Sequence, residues 1–174
     1  SQKMAADNKD QISLLYHITQ ILNKTPDLKQ SLYNTLELIS KSQDMVRGTI
    51  TILNPFSDEI SIEVAHGISK TALQKGKYKL GEGITGQVIQ TGAPVTIAKI
   101  SQDNRFLNRT TARKAFGDQE ISFICVPIKK DKQVIGALSV DRPYDAAFSL
   151  DEGEKLLSVV AAMIATQVIH LERH

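Results

Sequence analysis

The spacing of apolar residues changes twice along this sequence, from a helical period at both ends to a strand-like period between them. Near the start, from Asn8 to Lys24, apolar residues recur every three or four positions, which predicts an amphipathic helix. Its main stripe is Ile12, Leu15, Ile18 and Leu22, widened by Leu14 and Ile21. A second helix is predicted from Asp27 to about Ser42, and a long final helix after the N-cap candidate Ser149.

Alternating apolar and β-branched residues between these helices predict two antiparallel hairpins. The first joins 46–53 to 60–65 through a turn rich in Pro and Asp, and the second joins 121–128 to 134–140 through a polar turn at 129–133. Helical turns are expected at 69–75, and the glycines of Gly81–Gly86 are expected to take positive φ and start a short helix. Antiparallel strands with helices at both ends indicate an α+β fold, a sheet covered by helices.

Composition restricts the partners and the location of the chain. The 174 residues suit one domain, with a sheet core at 28–150 between helices at 1–25 and 151–174. The net charge is +2 without a sustained basic stripe, so we expect no nucleic-acid partner. One cysteine excludes an internal disulfide, and no apolar run approaches the roughly 20 residues of a membrane span. We therefore expect a cytoplasmic protein that does not bind membranes.

Five segments, in this order and at these separations, resemble the GAF family over roughly residues 28–170. They are Gly81-Glu-Gly-Ile-Thr-Gly86, Thr91-Gly-Ala-Pro94, Asp103-Asn-Arg-Phe106, Ser122-Phe-Ile-Cys-Val-Pro-Ile128 and Val134-Ile-Gly-Ala-Leu-Ser-Val140. Within that family, Phe106-Leu-Asn-Arg109, the segment 122–129 and Leu138-Ser-Val-Asp141 resemble the N-terminal sensor domain of NifA-type activators. Those are nitrogen-fixation regulators that work with the alternative sigma factor sigma-54.

The resemblance implies a six-stranded antiparallel sheet with the terminal helices packed on one face. Short helices and loops would cover the other face, which in the family often holds a small molecule. It also implies a downstream AAA+ ATPase and a helix-turn-helix domain, and no GxxxxGK[ST] phosphate loop occurs in this chain. Family members of this kind respond to 2-oxoglutarate, to PII-class signalling proteins or to an anti-activator. The signature of cyclic-nucleotide GAF domains is absent, which makes cGMP or cAMP a weaker alternative.

The long polar loop from Ser101 to Glu120 is the candidate ligand-binding segment, because loops of this length in compact domains are usually functional. Guanidinium groups bind carboxylates through paired hydrogen bonds, as a 2-oxoglutarate site requires. With two residues of the following strand, the predicted ligand-binding set is Arg105, Phe106, Asn108, Arg109, Arg113, Phe123 and Cys125. The alternative is a solvated loop whose charges form surface ion pairs.

No residue constellation indicates catalysis or a metal site. Cys125 lies in an apolar strand, where core packing is favoured over a redox thiol, and the sulfoxide-reducing GAF enzymes use several cysteines. His170 and His174 are interpreted as surface residues, and Asp141 and Arg142 as an ion pair with each other at the end of a hairpin. We expect no enzyme, and no cofactor beyond a small-molecule ligand such as 2-oxoglutarate or a cyclic nucleotide.

A second hypothesis is a protein-interaction domain that forms a homodimer. The first and last helices would pair across a twofold axis as a parallel four-helix bundle. The alternative is that both apolar stripes pack only on their own sheet. The width of the first stripe, with Leu14 and Ile21 beside it, favours burial against both the sheet and a partner.

Overall fold

The computed structural model describes residues 2–54, 56–57, 59–68, 83–104 and 119–172, with helices before and after a central sheet. In chain order the elements are α1 (Gln2–Lys24), α2 (Leu28–Gln43), β1 (Arg47–Leu53), β2 (Ile60–His66), α3 (Ile84–Thr91), β3 (Val95–Ile97), a 3₁₀ helix (Ile100–Gln102), β4 (Ile121–Lys130), β5 (Gln133–Pro143) and α4 (Leu150–Glu172). This arrangement confirms the α+β class. Within the described ranges no helix is long and apolar enough to cross a membrane.

The sheet is antiparallel with the strand order β2-β1-β5-β4-β3. The described residues contribute five strands, whereas six were expected. The helical turns expected at 69–75 lie outside the described residues. The second hairpin is longer than predicted, because its turn shrinks to Asp131 and Lys132, where Asp131 takes a φ of 56° and reverses the chain tightly.

One face of the sheet, here called the helix face, carries the main hydrophobic core. Alternate residues of β1, β4 and β5 point to this face, among them Ile50, Ile124 and Leu138. They pack against the buried sides of α1, α2 and α4, whose residues include Leu36 and Ile164. The apolar residues that recur every second position in the strands therefore pack against those that recur every three or four positions in the helices, and together they form one apolar layer.

The opposite face of the sheet, here called the second face, holds a smaller apolar cluster under α3. Its buried residues are Ile84, Val88, Ile97, Ile100, Ile121, Phe123, Cys125 and Ala137. Gly83 precedes α3 with a φ of 59° and Gly92 ends it with a φ of 73°, conformations that a side chain disfavours. The expectation that this glycine-rich segment starts a short helix is confirmed for Gly83.

The buried stripe of α1 differs from the predicted one. Leu14, Ile18 and Leu22 are buried, whereas Ile12, predicted as part of the stripe, is 68% exposed. Two residues along a helix turn the side chain by about 200°, so Ile12 and Leu14 cannot face the same neighbour. The sequence contains two overlapping apolar stripes here, and packing against the sheet selects the one through Leu14.

Capping interactions place the other helix ends where the sequence predicted them. The Asp27 carboxylate accepts a hydrogen bond from the Lys29 backbone N–H at 3.1 Å before α2. The Ser149 hydroxyl accepts one from the Glu152 backbone N–H at 3.2 Å before α4. Each satisfies an N–H group that has no partner within its own helix.

Replacing Ile18 by Ala should lower the free energy of unfolding by about 2–5 kcal/mol, because it leaves a cavity in the core. In the monomeric chain Ile12→Ala, in the same helix, should change that free energy by less than about 0.5 kcal/mol, because Ile12 is 68% exposed there. Urea denaturation followed by circular dichroism measures both. Equal losses would show that α1 buries the stripe through Ile12 instead.

Candidate functional site

A row of polar side chains crosses the second face between the apolar residues. Several residues of β1 and β5 that point to this face are polar, and four of them are 4% exposed or less: Thr49, Thr51, Ser139 and Asp141. Arg47, at the start of β1, completes what we call the polar row. Burying a polar group costs free energy unless it is hydrogen-bonded, so these side chains are expected to have hydrogen-bond partners.

The register of the two central strands supplies partners within the row. Arg47 lies opposite Asp141, and Thr49 lies opposite Ser139. The Arg47 Nε donates a hydrogen bond to Asp141 Oδ2 at 2.7 Å, and the hydroxyls of Thr49 and Ser139 are 2.5 Å apart. The polar row therefore contains a buried ion pair and a buried hydroxyl pair side by side.

The predicted ion pair between Asp141 and Arg142 is wrong. Consecutive residues of a strand point to opposite faces, so the two side chains lie on different sides of β5. Asp141 pairs with Arg47 on the second face, while the Arg142 guanidinium lies over the Phe148 ring on the helix face. Burial raises the pKa of the Asp141 carboxyl, and the Arg47 charge and hydrogen bond oppose that rise.

Phe123 and Cys125 lie beside the polar row, on the same face. In the ladder between β4 and β5, Phe123 is opposite Asp141 and Cys125 is opposite Ser139. Ile124 and Val126 point to the helix face, so the predicted alternation along this strand is confirmed. Phe123 and Cys125 are thus placed together, and their contact with a ligand stays a prediction.

Cys125 is an unreactive thiol in this arrangement. The side chain is fully buried, and its Sγ donates a weak hydrogen bond to Thr85 Oγ1 of α3 at 4.0 Å. Burial raises the pKa of Cys125 to about 12, with a lowering by the Thr85 bond and a further rise from the Asp141 charge. Because the thiolate is the nucleophilic form, this environment agrees with core packing and not with a redox role.

The remaining predicted ligand-binding residues are Arg105, Phe106, Asn108, Arg109 and Arg113, and all five lie outside the described residues. His174 lies outside them as well. Among the residues that the structure does describe, no group of three or more His, Cys, Asp and Glu side chains is placed to hold a metal ion.

The sequence analysis overlooked Arg47, Thr49 and Ser139 as site residues. The period-two threonines of β1 were a usable signal, because alternation there is polar on one face and apolar on the other. They were interpreted only as residues typical of a strand. The pairing of Thr49 with Ser139, 90 residues apart in the chain, needed the strand register.

Replacing Asp141 by Asn should lower the free energy of unfolding by about 3 kcal/mol, because the buried Arg47 guanidinium loses this carboxylate. Glu37→Gln is the matched control: Glu37 pairs with Lys41 at 3.2 Å on the surface of α2, and its loss should cost less than about 0.5 kcal/mol. Urea denaturation measures both.

The double variant Arg47→Met with Asp141→Leu should recover most of that loss, because it removes both buried charges. Equal effects of Asp141→Asn and Glu37→Gln would contradict the assignment of a buried pair.

Known proteins similar to this chain include regulators of nitrogen fixation. The chain is 37% identical over 160 residues to the nitrogen fixation protein VnfA of Azotobacter vinelandii, covering 91% of this chain and 31% of that protein. It is 34% identical over 160 residues to the Nif-specific regulatory protein of Herbaspirillum seropedicae, covering 91% of this chain and 29% of that protein. The chain thus spans just under a third of the length of these relatives.

Solved structures show the same fold at lower identity. The A. aeolicus nlh2 GAF domain in an inactive state superposes with a TM-score of 0.72 at 22% identity, covering 92% of this chain and 96% of that one. A free methionine-R-sulfoxide reductase from Neisseria meningitidis superposes with a TM-score of 0.68 at 18% identity, covering 90% and 87%. A model of the GAF domain family matches residues 27–168. This chain belongs to the GAF domain family.

Proposed function

We propose that this chain is the regulatory sensor domain of a NifA-like, sigma-54-dependent transcriptional activator. A small molecule that binds at the second face, or a signalling protein, controls a downstream AAA+ ATPase domain. The observation that carries the proposal is the buried polar row beside an apolar cluster, together with similarity to regulators of nitrogen fixation. A few polar groups placed in an apolar surrounding are typical of small-molecule sites.

The polar row favours a site over a purely structural layer. The core of the helix face consists mainly of aliphatic residues. The second face instead buries an ion pair, and replacing a buried ion pair with apolar residues is often neutral or stabilising. Retaining it is therefore better explained by a function on this face than by stability alone.

The ligand that we propose is a small dicarboxylate such as 2-oxoglutarate. The Asp141 carboxylate already compensates the charge of Arg47, so a dianion needs further cations. Arg105, Arg109 and Arg113 are the proposed source, with Asn108 as an additional donor and Phe106, Phe123 and Cys125 as apolar walls. Cyclic nucleotides, and partner proteins of the PII or anti-activator class, are the alternatives.

We propose that the domain has no catalytic activity of its own. A pKa of about 12 keeps the Cys125 thiol protonated at neutral pH, and the sequence contains no second cysteine to resolve an oxidised form. The similarity to a sulfoxide reductase extends to the fold alone. Function is carried by sites and not by folds, so that similarity transfers no reaction to this chain.

Binding of 2-oxoglutarate should raise the stability of the domain, because a ligand that binds only the folded state adds free energy. At a hundred times its dissociation constant the gain is about 2.7 kcal/mol. Thermal-shift assays and calorimetry with 2-oxoglutarate, cGMP, cAMP and glutamate measure it and separate the alternatives.

Arg109→Gln should weaken 2-oxoglutarate binding at least about tenfold, the equivalent of one lost charge-assisted hydrogen bond. Lys132→Gln, which removes one positive charge from the exposed β4–β5 turn, is the control and should leave binding unchanged. Absence of stabilisation by all four compounds at millimolar concentration would exclude them as ligands of this domain.

A second function, dimerisation through the terminal helices, is favoured by apolar residues exposed on α1 and α4. Ile12 is 68%, Tyr16 is 59% and Val159 is 46% exposed. Ile12 and Tyr16 are one helical turn apart, so they form a continuous patch beside the stripe that packs on the sheet. We propose that this patch pairs with a second copy of the chain, in a bundle that includes α4.

Tyr16→Glu and Val159→Glu should each convert a dimer to a monomer without unfolding it, because both side chains are exposed in the single chain. Gln30→Glu, which adds the same charge on the exposed side of α2, should leave the dimer intact. Light scattering gives the mass and circular dichroism the fold. Leu157→Glu is unsuitable for this test, since Leu157 is 3% exposed and belongs to the core. A monomeric wild-type chain would refute the proposal.

A further inference from the structure

The end of β5 connects the two faces of the sheet through consecutive residues. Asp141 belongs to the polar row and bonds to Arg47 on the second face. Arg142 points to the helix face, where its guanidinium carbon lies 3.3 Å from the centroid of the Phe148 ring. A displacement of this strand at Asp141 must therefore move the Arg142 side chain on the other side.

Phe148 carries this contact to the start of α4. A Cβ atom placed on Gly153, in the first turn of α4, would lie 2.9 Å from the Phe148 Cζ, so the ring packs directly on the helix backbone. A side chain at this position would require the Phe148 ring to shift. The contact from Arg142 through Phe148 to Gly153, which we call the clasp, joins the last strand to the final helix.

Arg142 is incompletely satisfied in the clasp. Its Nε is buried and has no hydrogen-bond partner, which leaves the desolvation of that polar group uncompensated. Burial lowers the pKa of Arg142, while the charges of Asp44 and Asp145 oppose that effect. Pairing of the guanidinium with one of these carboxylates, instead of stacking on the ring, would give the Nε a hydrogen-bond acceptor.

The ring has room to leave the clasp as well. Phe148 and Gly153 line an open cleft of about 550 Å³ between α1, the end of α2 and the start of α4. The Phe148 side chain also packs against the main core, so it lies between that core and the cleft. The same strand end also binds the segment between α2 and β1, because the Val46 backbone N–H donates to the Asp141 carbonyl oxygen at 2.9 Å.

We propose that the clasp of Arg142, Phe148 and Gly153 is the coupling element that transmits a change in the Arg47–Asp141 pair to α4. Arg142 is a positioning residue with two arrangements, stacked on Phe148 or paired with Asp44 or Asp145. A change in the Arg47–Asp141 pair shifts the balance between them and thereby the direction of α4. Such a two-state element is what a coupling between distant sites requires. The use of this coupling in signalling rests on the proposed function, while its existence does not.

A double-mutant cycle without any ligand tests the clasp. Arg47→Lys perturbs the polar row and keeps its charge, and hydrogen exchange of the amides at 148–153 is measured relative to those of β4 in the same variant. In the wild-type background, Arg47→Lys should increase the relative exchange rate of these amides at least about fivefold. In the Arg142→Lys background it should not increase that rate, because the planar stack of Arg142 on Phe148 is already lost. Thr49→Val, which disturbs the same face away from Asp141, is the control and should leave these amides unchanged.

Arg142→Lys alone could already bring hydrogen exchange of the amides at 148–153 to its upper limit. A reciprocal measurement, from the clasp back to Arg47, keeps the test decisive in that case. Coupling acts equally in both directions, so Phe148→Leu should shift the nuclear magnetic resonance signal of the Arg47 Nε–H. The same fold-increase in both backgrounds, or an Arg47 signal unchanged by Phe148→Leu, overturns the proposal. Because no ligand is involved, failure to find a small-molecule ligand would contradict the proposed dicarboxylate site and leave this result standing.

Discussion

Side-chain alternation along β5 is the constraint on which both halves of this domain depend. β5 is bonded to β1 on one side and β4 on the other, with Leu138 and Val140 on the helix face and Ser139 and Asp141 on the second face. A slip of one residue would exchange the two sets and put a carboxylate into the aliphatic core. Register is therefore fixed by the polar residues as firmly as by the apolar ones.

The two faces of the sheet are stabilised by different kinds of interaction. The helix face gains its stability from the burial of aliphatic side chains, which is non-directional and tolerates small shifts. The second face buries groups that need partners at defined distances, such as Arg47 with Asp141 and Thr49 with Ser139. Directional bonds respond to a change in charge or geometry, and the proposed sensor function is therefore assigned to the second face.

Local rules explain which parts of the fold the sequence predicted well. Helix starts at Asp27 and Ser149 depend on a cap within one turn of chain, and both were placed correctly. The hairpins follow from alternation and turn residues, which are equally local. The stripe of α1 was misassigned because two stripes satisfy the helical period, and only contact with the sheet distinguishes Leu14 from Ile12.

By itself, the sequence determined the α+β class, the element order, the GAF resemblance and the shared face of Phe123 and Cys125, since each depends on periodicity or on a contiguous motif. Tertiary structure alone decided the partners of Asp141 and Arg142. Arg47 is 94 residues from Asp141 along the chain, and their bond exists because β1 and β5 are adjacent strands in one register. Neighbours in sequence along a strand point apart, while distant residues on adjacent strands meet, so pairing on a sheet follows from the strand order.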